Sequence, residues 1–138
     1  MLSRRTVCRV IYADTDNMGV AYYANYLKWF EIGRTEMLRS VGCSYKDLEA
    51  TGIFLPVSEA FCKYISSAHY DDLLTIESTL DNTVKAGMKF DYTILDQEER
   101  LIAKGYTKHP FVNADGKVVR PPKFLTDMIK QNSDAQNL

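Results

Sequence analysis

Residues 21–42 read AYYANYLKWFEIGRTEMLRSVG, and the way this segment folds decides the rest of the chain. Tyr23, Leu27, Phe30, Met37 and Val41 recur at helical spacing on one face, with Tyr22, Tyr26 and Trp29 beside it. Lys28, Glu31, Thr35 and Arg39 leave only a narrow polar stripe. Gly42 stands where a helix C-terminus favours glycine. The spacing predicts a helix over residues 21–41, roughly 30 Å long at 1.5 Å per residue. Being apolar around most of its girth, it has to be surrounded.

The flanking sequence supplies the surround. Residues 6–12 alternate as a half-buried strand does, Val7, Arg9 and Ile11 against Cys8, Val10 and Tyr12. A short helix is expected over residues 45–50, stopping at Gly52. From Pro56 to Val119 the chain reads as strand and turn, with strands at 57–65, 73–80, 88–95 and 101–112. The turns fall at 66–72, 81–87, 96–100 and 113–117, the last carrying the Asp115-Gly116 hairpin signal. Such short connections favour antiparallel pairing. The expected fold is therefore α+β: a curved antiparallel sheet of about five strands wrapped around one long helix. Residues 1–130 form the single domain, with a short helix at 124–130 after Pro121-Pro122. The polar tail 131–138 is expected to fray. A lone sheet leaves its edges open, so side-by-side pairing of two copies is expected.

Composition excludes several classes. The 17 basic and 18 acidic side chains give a net charge of −1, which offers no bulk field for nucleic acid or membrane surfaces. No stretch approaches the ~20 apolar residues that span a bilayer. Cys8, Cys43 and Cys62 are an odd number without a C-x-x-C pair, which suggests neither a disulfide framework nor a zinc site. These features, and the absence of a signal-peptide pattern, lead to the expectation of a cytoplasmic protein.

Just before the long helix lies Asp14-Thr15-Asp16-Asn17-Met18-Gly19, which admits four readings. A calcium loop fails, because Met18 and Asn25 occupy positions that need an oxygen donor and a glutamate. An apolar strand ending in D-x-D also suits a magnesium-dependent phosphatase of the haloacid-dehalogenase type, but that chemistry needs a parallel doubly wound sheet. A third reading makes the aspartates turn and cap residues; Asp14 fits it best, and Asp16 is evenly balanced between cap and chemistry. In the fourth, the N–H groups at a helix N-terminus polarise a thioester carbonyl while a nearby carboxylate attacks the carbon or activates water. That chemistry needs no metal or other cofactor.

The pattern Y-x-D-T-D-x-x-G-V-x-Y-x-x-N-Y-L over residues 12–27, followed by Glu31, Arg34, Thr35 and Glu36, resembles the hot-dog-fold thioesterases of the 4-hydroxybenzoyl-CoA thioesterase family. The closest branch is that of the short acyl-CoA (YbgC-type) thioesterases. PVSEAFCKYISSAHYDDLLTIES (56–78) and RPPKFL (120–125) extend the likeness to about residue 125. The resemblance implies an acyl-CoA thioesterase that takes acyl-CoA, or acyl-carrier protein, as partner and assembles as a homodimer or homotetramer with sites at the dimer interface. It places the catalytic carboxylate on Asp16 and the polarising helix N-terminal amide near Tyr23, with Asn17 and Gly19 shaping the loop.

Two positions depart from the pattern: Tyr23 where the close branch often has His, and His69 where Arg is usual before Tyr70-Asp71-Asp72. A backbone role survives the first change. For His69 a turn histidine bonded to its neighbour competes with a polar contact near the site. Glu59 is expected either to reach a partner's pocket or to sit solvated on its strand. Lys85 and Lys89, with Arg120 and Lys123 behind them, are candidates for the CoA phosphates. Glu31 and Glu36 are read as salt-bridging or interface residues, because the His-Gly-Gly helix entry of the branch that uses a helix glutamate is absent. A non-catalytic hot-dog protein that binds acyl-CoA or acyl-carrier protein is the main alternative, and a solvent-averted Asp16 would favour it.

Overall fold

A computed structural model describes residues 1–136; the last two positions of the expected frayed tail, 137 and 138, lie outside the described residues. The elements in chain order are β1 (Ser3–Arg9), a 3-10 turn at Tyr12–Asp14, α1 (Asn25–Ser40), α2 (Tyr45–Ala50), β2 (Glu59–Tyr64), β3 (Leu73–Leu80), β4 (Met88–Leu95), β5 (Leu101–His109) and α3 (Lys123–Gln136). The five strands form one sheet in the order β1-β3-β4-β5-β2, and every pairing is antiparallel. This is the expected α+β architecture, and it removes the phosphatase reading, whose chemistry needs parallel strands.

Alternation along the strands builds the core. Leu74, Ile76 and Leu80 of β3 and Met88, Phe90, Tyr92 and Ile94 of β4 are buried toward α1, while their odd-numbered neighbours on both strands are more open. Against this face α1 lays Tyr26, Trp29, Phe30, Gly33, Met37 and Leu38, and it touches all five strands. Phe30 stacks on Tyr92 with ring centroids 4.3 Å apart. Gly33 lets the helix approach β3: a Cβ there would stand 2.5 Å from Ser78 Oγ and 2.7 Å from Ile76 Cγ2.

Several boundaries differ from the expectation. The helix begins at Asn25 rather than residue 21, because Val20 and Ala21 bridge to His69 and Thr15 in extended backbone. Tyr22, Tyr23 and Leu27, read as part of the apolar face, are 47%, 61% and 40% exposed; the buried face is turned toward Tyr26, Trp29, Phe30 and Met37. The first strand is Ser3–Arg9 rather than 6–12, since residues 12–14 wind into the 3-10 turn.

Residues 131–136 do not fray. They continue α3, and Gln136 accepts from the Ser3 N–H and the Arg4 guanidinium while donating to the Met1 carbonyl. No described helix is long and apolar enough to cross a membrane.

Candidate active site

The loop between β1 and α1 is built around Asp14. Its buried carboxylate accepts the Ile11 N–H at 3.0 Å and pairs with Lys28 Nζ at 2.5 Å. Its main-chain carbonyl accepts the Tyr22 N–H and Asn25 Nδ2, each at 2.8 Å. One residue thus ties the strand end to the first turn of α1, which is the structural role read from the sequence.

Asp16, two residues on, is exposed. Its main chain is closed into a small turn: its N–H donates to Val20 O at 2.9 Å, and its carbonyl accepts the Gly19 N–H at 3.1 Å. Gly19 has φ +79°, a left-handed conformation that glycine adopts without strain. The Met18 N–H donates to Asp16 Oδ1 at 2.8 Å and fixes the carboxylate's direction without burying it. Asn17 is exposed in the same turn.

The loop, the helix entry and the end of β2 enclose a concavity of about 300 Å³ lined by Asp16, Val20, Ala21, Tyr23, Tyr26, Tyr64, Ile65, Ser66 and Ser67. Asp16 and Tyr23 are therefore brought together. Tyr22, Asn25, Tyr26 and Leu27 donate their amides back along the chain. Between them, no acceptor among the described residues takes the N–H of Tyr23 or Ala24. Two donors at the positive end of a helix are thus left without a partner among the described residues.

Sequence reading missed Tyr64. Its hydroxyl donates to the Tyr23 carbonyl at 3.0 Å, and its ring packs edge-on against Tyr26 at 4.8 Å. Burial, reinforced by Cys62, pushes the phenol up to about 12, so it keeps its proton.

The remaining candidates lie elsewhere in one chain. His69 is bridged to Val20 through the backbone, and its own N–H donates to Asp72 Oδ2 at 2.9 Å. Its ring is half exposed beside that carboxylate, as a turn histidine's would be, and does not line the concavity.

Glu59 sits on the outer side of β2, accepting from the Tyr106 hydroxyl and facing Lys108 Nζ at 3.2 Å; these partners hold its carboxyl below the usual range. Lys85 belongs to the β3–β4 turn, at the other end of β3 from His69, roughly 24 Å away at the rise of an extended strand. Lys89 is paired with Asp81 and Asp91. Any contact of Glu59, Lys85 or Lys89 with this concavity has to come from another copy. Among the described residues no His, Cys, Asp and Glu cluster could hold a metal ion.

A thioesterase-like superfamily profile matches residues 10–131. The acyl-CoA thioester hydrolase YbgC of Escherichia coli O6:H1 is 34% identical over 94 residues, covering 68% of this chain and 70% of its own. A DHNA-CoA thioesterase from Staphylococcus aureus superposes with a TM-score of 0.89 at 29% identity, over 100% of this chain and 93% of that one. Slr0204, a 1,4-dihydroxy-2-naphthoyl-CoA thioesterase from Synechocystis, superposes with a TM-score of 0.85 at 25% identity, over 92% and 95%. The antiparallel sheet closed on α1, the D-T-D loop at its entry and these matches agree: the chain belongs to the thioesterase-like superfamily of hot-dog-fold enzymes.

Proposed function

We propose that this protein hydrolyses acyl-CoA thioesters, with Asp16 as the catalytic carboxylate and the Tyr23–Ala24 amides as the oxyanion-binding group. The observation that carries the reading is that the exposed Asp16 and Tyr23 line one concavity, at a helix entry where the Tyr23 and Ala24 N–H groups have no acceptor among the described residues. The thioester carbonyl oxygen sits against the amides, and the carbonyl carbon then faces Asp16. As the carbon becomes tetrahedral its oxygen gains charge, and one preorganised donor there contributes about 2.7–4 kcal/mol. Asp16 acts either by attacking the carbon to form a mixed anhydride that water opens, or by taking a proton from the attacking water. CoA leaves as its thiol in both routes. The exposure of Asp16 favours catalysis over a purely binding role.

The site is completed by a second copy. β1 carries Arg4, Arg5 and Arg9 along its edge, a charge pattern that discourages further pairing. β2, the other edge, is open on both faces; Phe61 and Tyr64 on it and Ile65 just after it are each more than two-fifths exposed, and Tyr64 and Ile65 line the concavity. Pairing β2 with its symmetry mate covers this surface and walls the concavity.

The test is thiol release from a panel of acyl-CoAs with EDTA present, wild type against Asp16→Asn. A loss of several orders of magnitude in a folded variant supports the assignment, whereas equal rates refute it. Label recovered in Asp16 after single-turnover hydrolysis in isotopically labelled water identifies the anhydride route, with water attacking the aspartyl carbon.

A further inference from the structure

The two amides proposed to hold the thioester oxygen belong to one tight turn just ahead of α1. The Asn25 N–H closes it by donating to the Tyr22 carbonyl at 3.0 Å, which leaves Tyr23 and Ala24 at the two central positions. Both ends of this turn hang on a single atom. The Tyr22 N–H and Asn25 Nδ2 each donate to the Asp14 carbonyl oxygen at 2.8 Å. The end of the Asn25 amide that faces this carbonyl is its NH2, because a carbonyl oxygen only accepts.

The same carbonyl stands at the root of the loop that carries Asp16. Thr15 bridges to Ala21, the Asp16 N–H donates to Val20 O at 2.9 Å, and the Tyr22 N–H brings the returning chain back to Asp14. Carboxylate and amides are therefore referred to one point. Asp16 lies two residues beyond Asp14 on this closed loop, and Tyr23 and Ala24 lie between the two donors that grip it. With the Tyr22 donor alone the turn could pivot about that bond. A second donor on the far side of the free amides removes the pivot.

Local sequence preference gives no other task to this side chain. Asparagine is among the residues favoured at a helix N-cap, where its oxygen takes an unpaired N–H. Here Ala24 occupies that position and α1 begins with no side-chain cap, while the asparagine comes one residue later. From there its amide serves the loop rather than the helix. Asn25 is partly buried and does not line the concavity. Lys28, one turn further on, grips the same aspartate differently, reaching its carboxylate and not its carbonyl. Helix and loop are tied by that pair without any contact to the turn at 22–25.

From this we infer that Asn25 is a positioning residue: through the Asp14 carbonyl it sets the Tyr23 and Ala24 N–H groups relative to the Asp16 carboxylate, without touching the substrate. The inference rests on the proposed function, in which those amides and Asp16 act on one thioester. A misplacement of about 1 Å can cost about a hundredfold in rate, so loss of this bond falls on kcat. Binding is spread over the whole acyl-CoA and changes little.

The test compares wild type with Asn25→Ala, Asn25→Asp, Asn25→Gln and Lys28→Met, using the acyl-CoA that wild type turns over fastest. Asn25→Asp keeps the size and puts a negative charge where a helix N-terminus favours one, so α1 still starts well and the donor alone is lost. Asn25→Ala and Asn25→Asp are expected to lower kcat by about ten- to a hundredfold, with KM within about twofold. Asn25→Gln, which keeps the donor on a longer arm, should fall between. Lys28→Met should keep its kcat even if it melts earlier. A second readout needs no activity. Tyr-Ala occurs only at 12–13 and 23–24, so carbonyl-labelled tyrosine with nitrogen-labelled alanine yields two amide signals. The heteronuclear NOE of Ala24 should fall in Asn25→Ala and Asn25→Asp, and that of Ala13 should change less. Unchanged kcat in both variants, an equal loss in Lys28→Met, or an Ala24 amide as rigid in Asn25→Ala as in wild type overturns the inference. If wild type hydrolyses no acyl-CoA, the catalytic reading falls, and the Ala24 signal alone decides whether Asn25 fixes the turn. Should Asn25→Ala not fold, Asn25→Asp and Asn25→Gln decide by the same criteria.

Discussion

The Tyr64 hydroxyl donates to the carbonyl oxygen of Tyr23 across 3.0 Å, and that carbonyl belongs to the same peptide unit as the Ala24 N–H. A hydrogen bond accepted at one end of an amide polarises the donor at the other, by an estimated 10–30% per bond in condensed phase. Tyr64 thus acts through the backbone on a group proposed to face the thioester. Tyr64→Phe keeps the ring against Tyr26 and removes only the hydroxyl. We expect kcat to fall by about three- to tenfold, the value of one ordinary hydrogen bond, with KM little changed. With its phenol near 12, Tyr64 adds no titration to the rate profile around neutrality.

The two aspartates of the D-T-D loop should separate cleanly. Asp14 is buried and holds the Ile11 N–H and Lys28, so Asp14→Ala strands polar groups at the helix entry. Because Lys28 is 45% exposed and can return to water, the cost is set at about 1–3 kcal/mol, below that of breaking a fully buried pair. Asp16 makes one exposed turn contact, so Asp16→Asn should leave the melting temperature within a degree or two while removing turnover. Thermal melts beside thiol-release assays check both halves.

Much of this was legible in the sequence, and the rest was not for identifiable reasons. Strands 73–80 and 88–95 and helix 45–50 fall where alternation and capping place them, because each meets its neighbour within a short stretch of chain. The start of α1 was misplaced by four residues, since Val20 and Ala21 are held extended by Ala68 and His69, almost fifty residues away. Helical periodicity cannot register that contact. It likewise assigned Tyr23 and Leu27 to the core, although they are 61% and 40% exposed. Asp16 and Tyr23 were nominated by a local motif, and both line the same concavity. Tyr64 was not singled out as a site group, because what marks it is a tertiary hydrogen bond.

Gly33 should tolerate no side chain. An alanine removes the entropic penalty of glycine within a helix, worth roughly 0.5–1 kcal/mol. Its Cβ, however, would meet Ser78 Oγ at 2.5 Å and Ile76 Cγ2 at 2.7 Å, inside the layer where α1 rests on β3. Overpacking of this kind costs typically about 1–3 kcal/mol. Gly33→Ala is expected to lower the denaturation midpoint; a gain in stability would mean that α1 can ride outward on the sheet.

His109 makes stability depend on acidity. Burial first, and then the nearby Arg34 charge, pull the imidazole down to about 4, below the 6.5 of an ordinary histidine. Between those values the unfolded chain binds a proton that the folded one refuses, so stability rises with pH across the window. The contribution is complete above about 6.5, is lost as pH falls toward 4, and amounts to at most about 3 kcal/mol. Urea unfolding at pH 7 and pH 5 should show the loss in wild type. His109→Gln, which cannot take up a proton, should flatten this part of the pH dependence even if its stability at pH 7 is lower.

Finally, assembly and catalysis should fail together at β2. The apolar exposure of Phe61 and Tyr64, and of Ile65 just beyond the strand, lies at an edge that carries fewer charges than β1. Ile65→Lys places a charge on that surface next to the concavity, at a residue already 44% exposed, so the isolated fold loses little. The expected result is a shift to monomer in light scattering, with turnover reduced by at least about tenfold because the concavity loses its far wall. Arg5→Glu on β1, where Arg5 meets Glu77 at 2.8 Å, serves as the matched control and should leave assembly unchanged. A variant at β2 that becomes monomeric yet retains full turnover would show that each chain holds a complete site, and the pairing assigned to β2 would then have no part in catalysis.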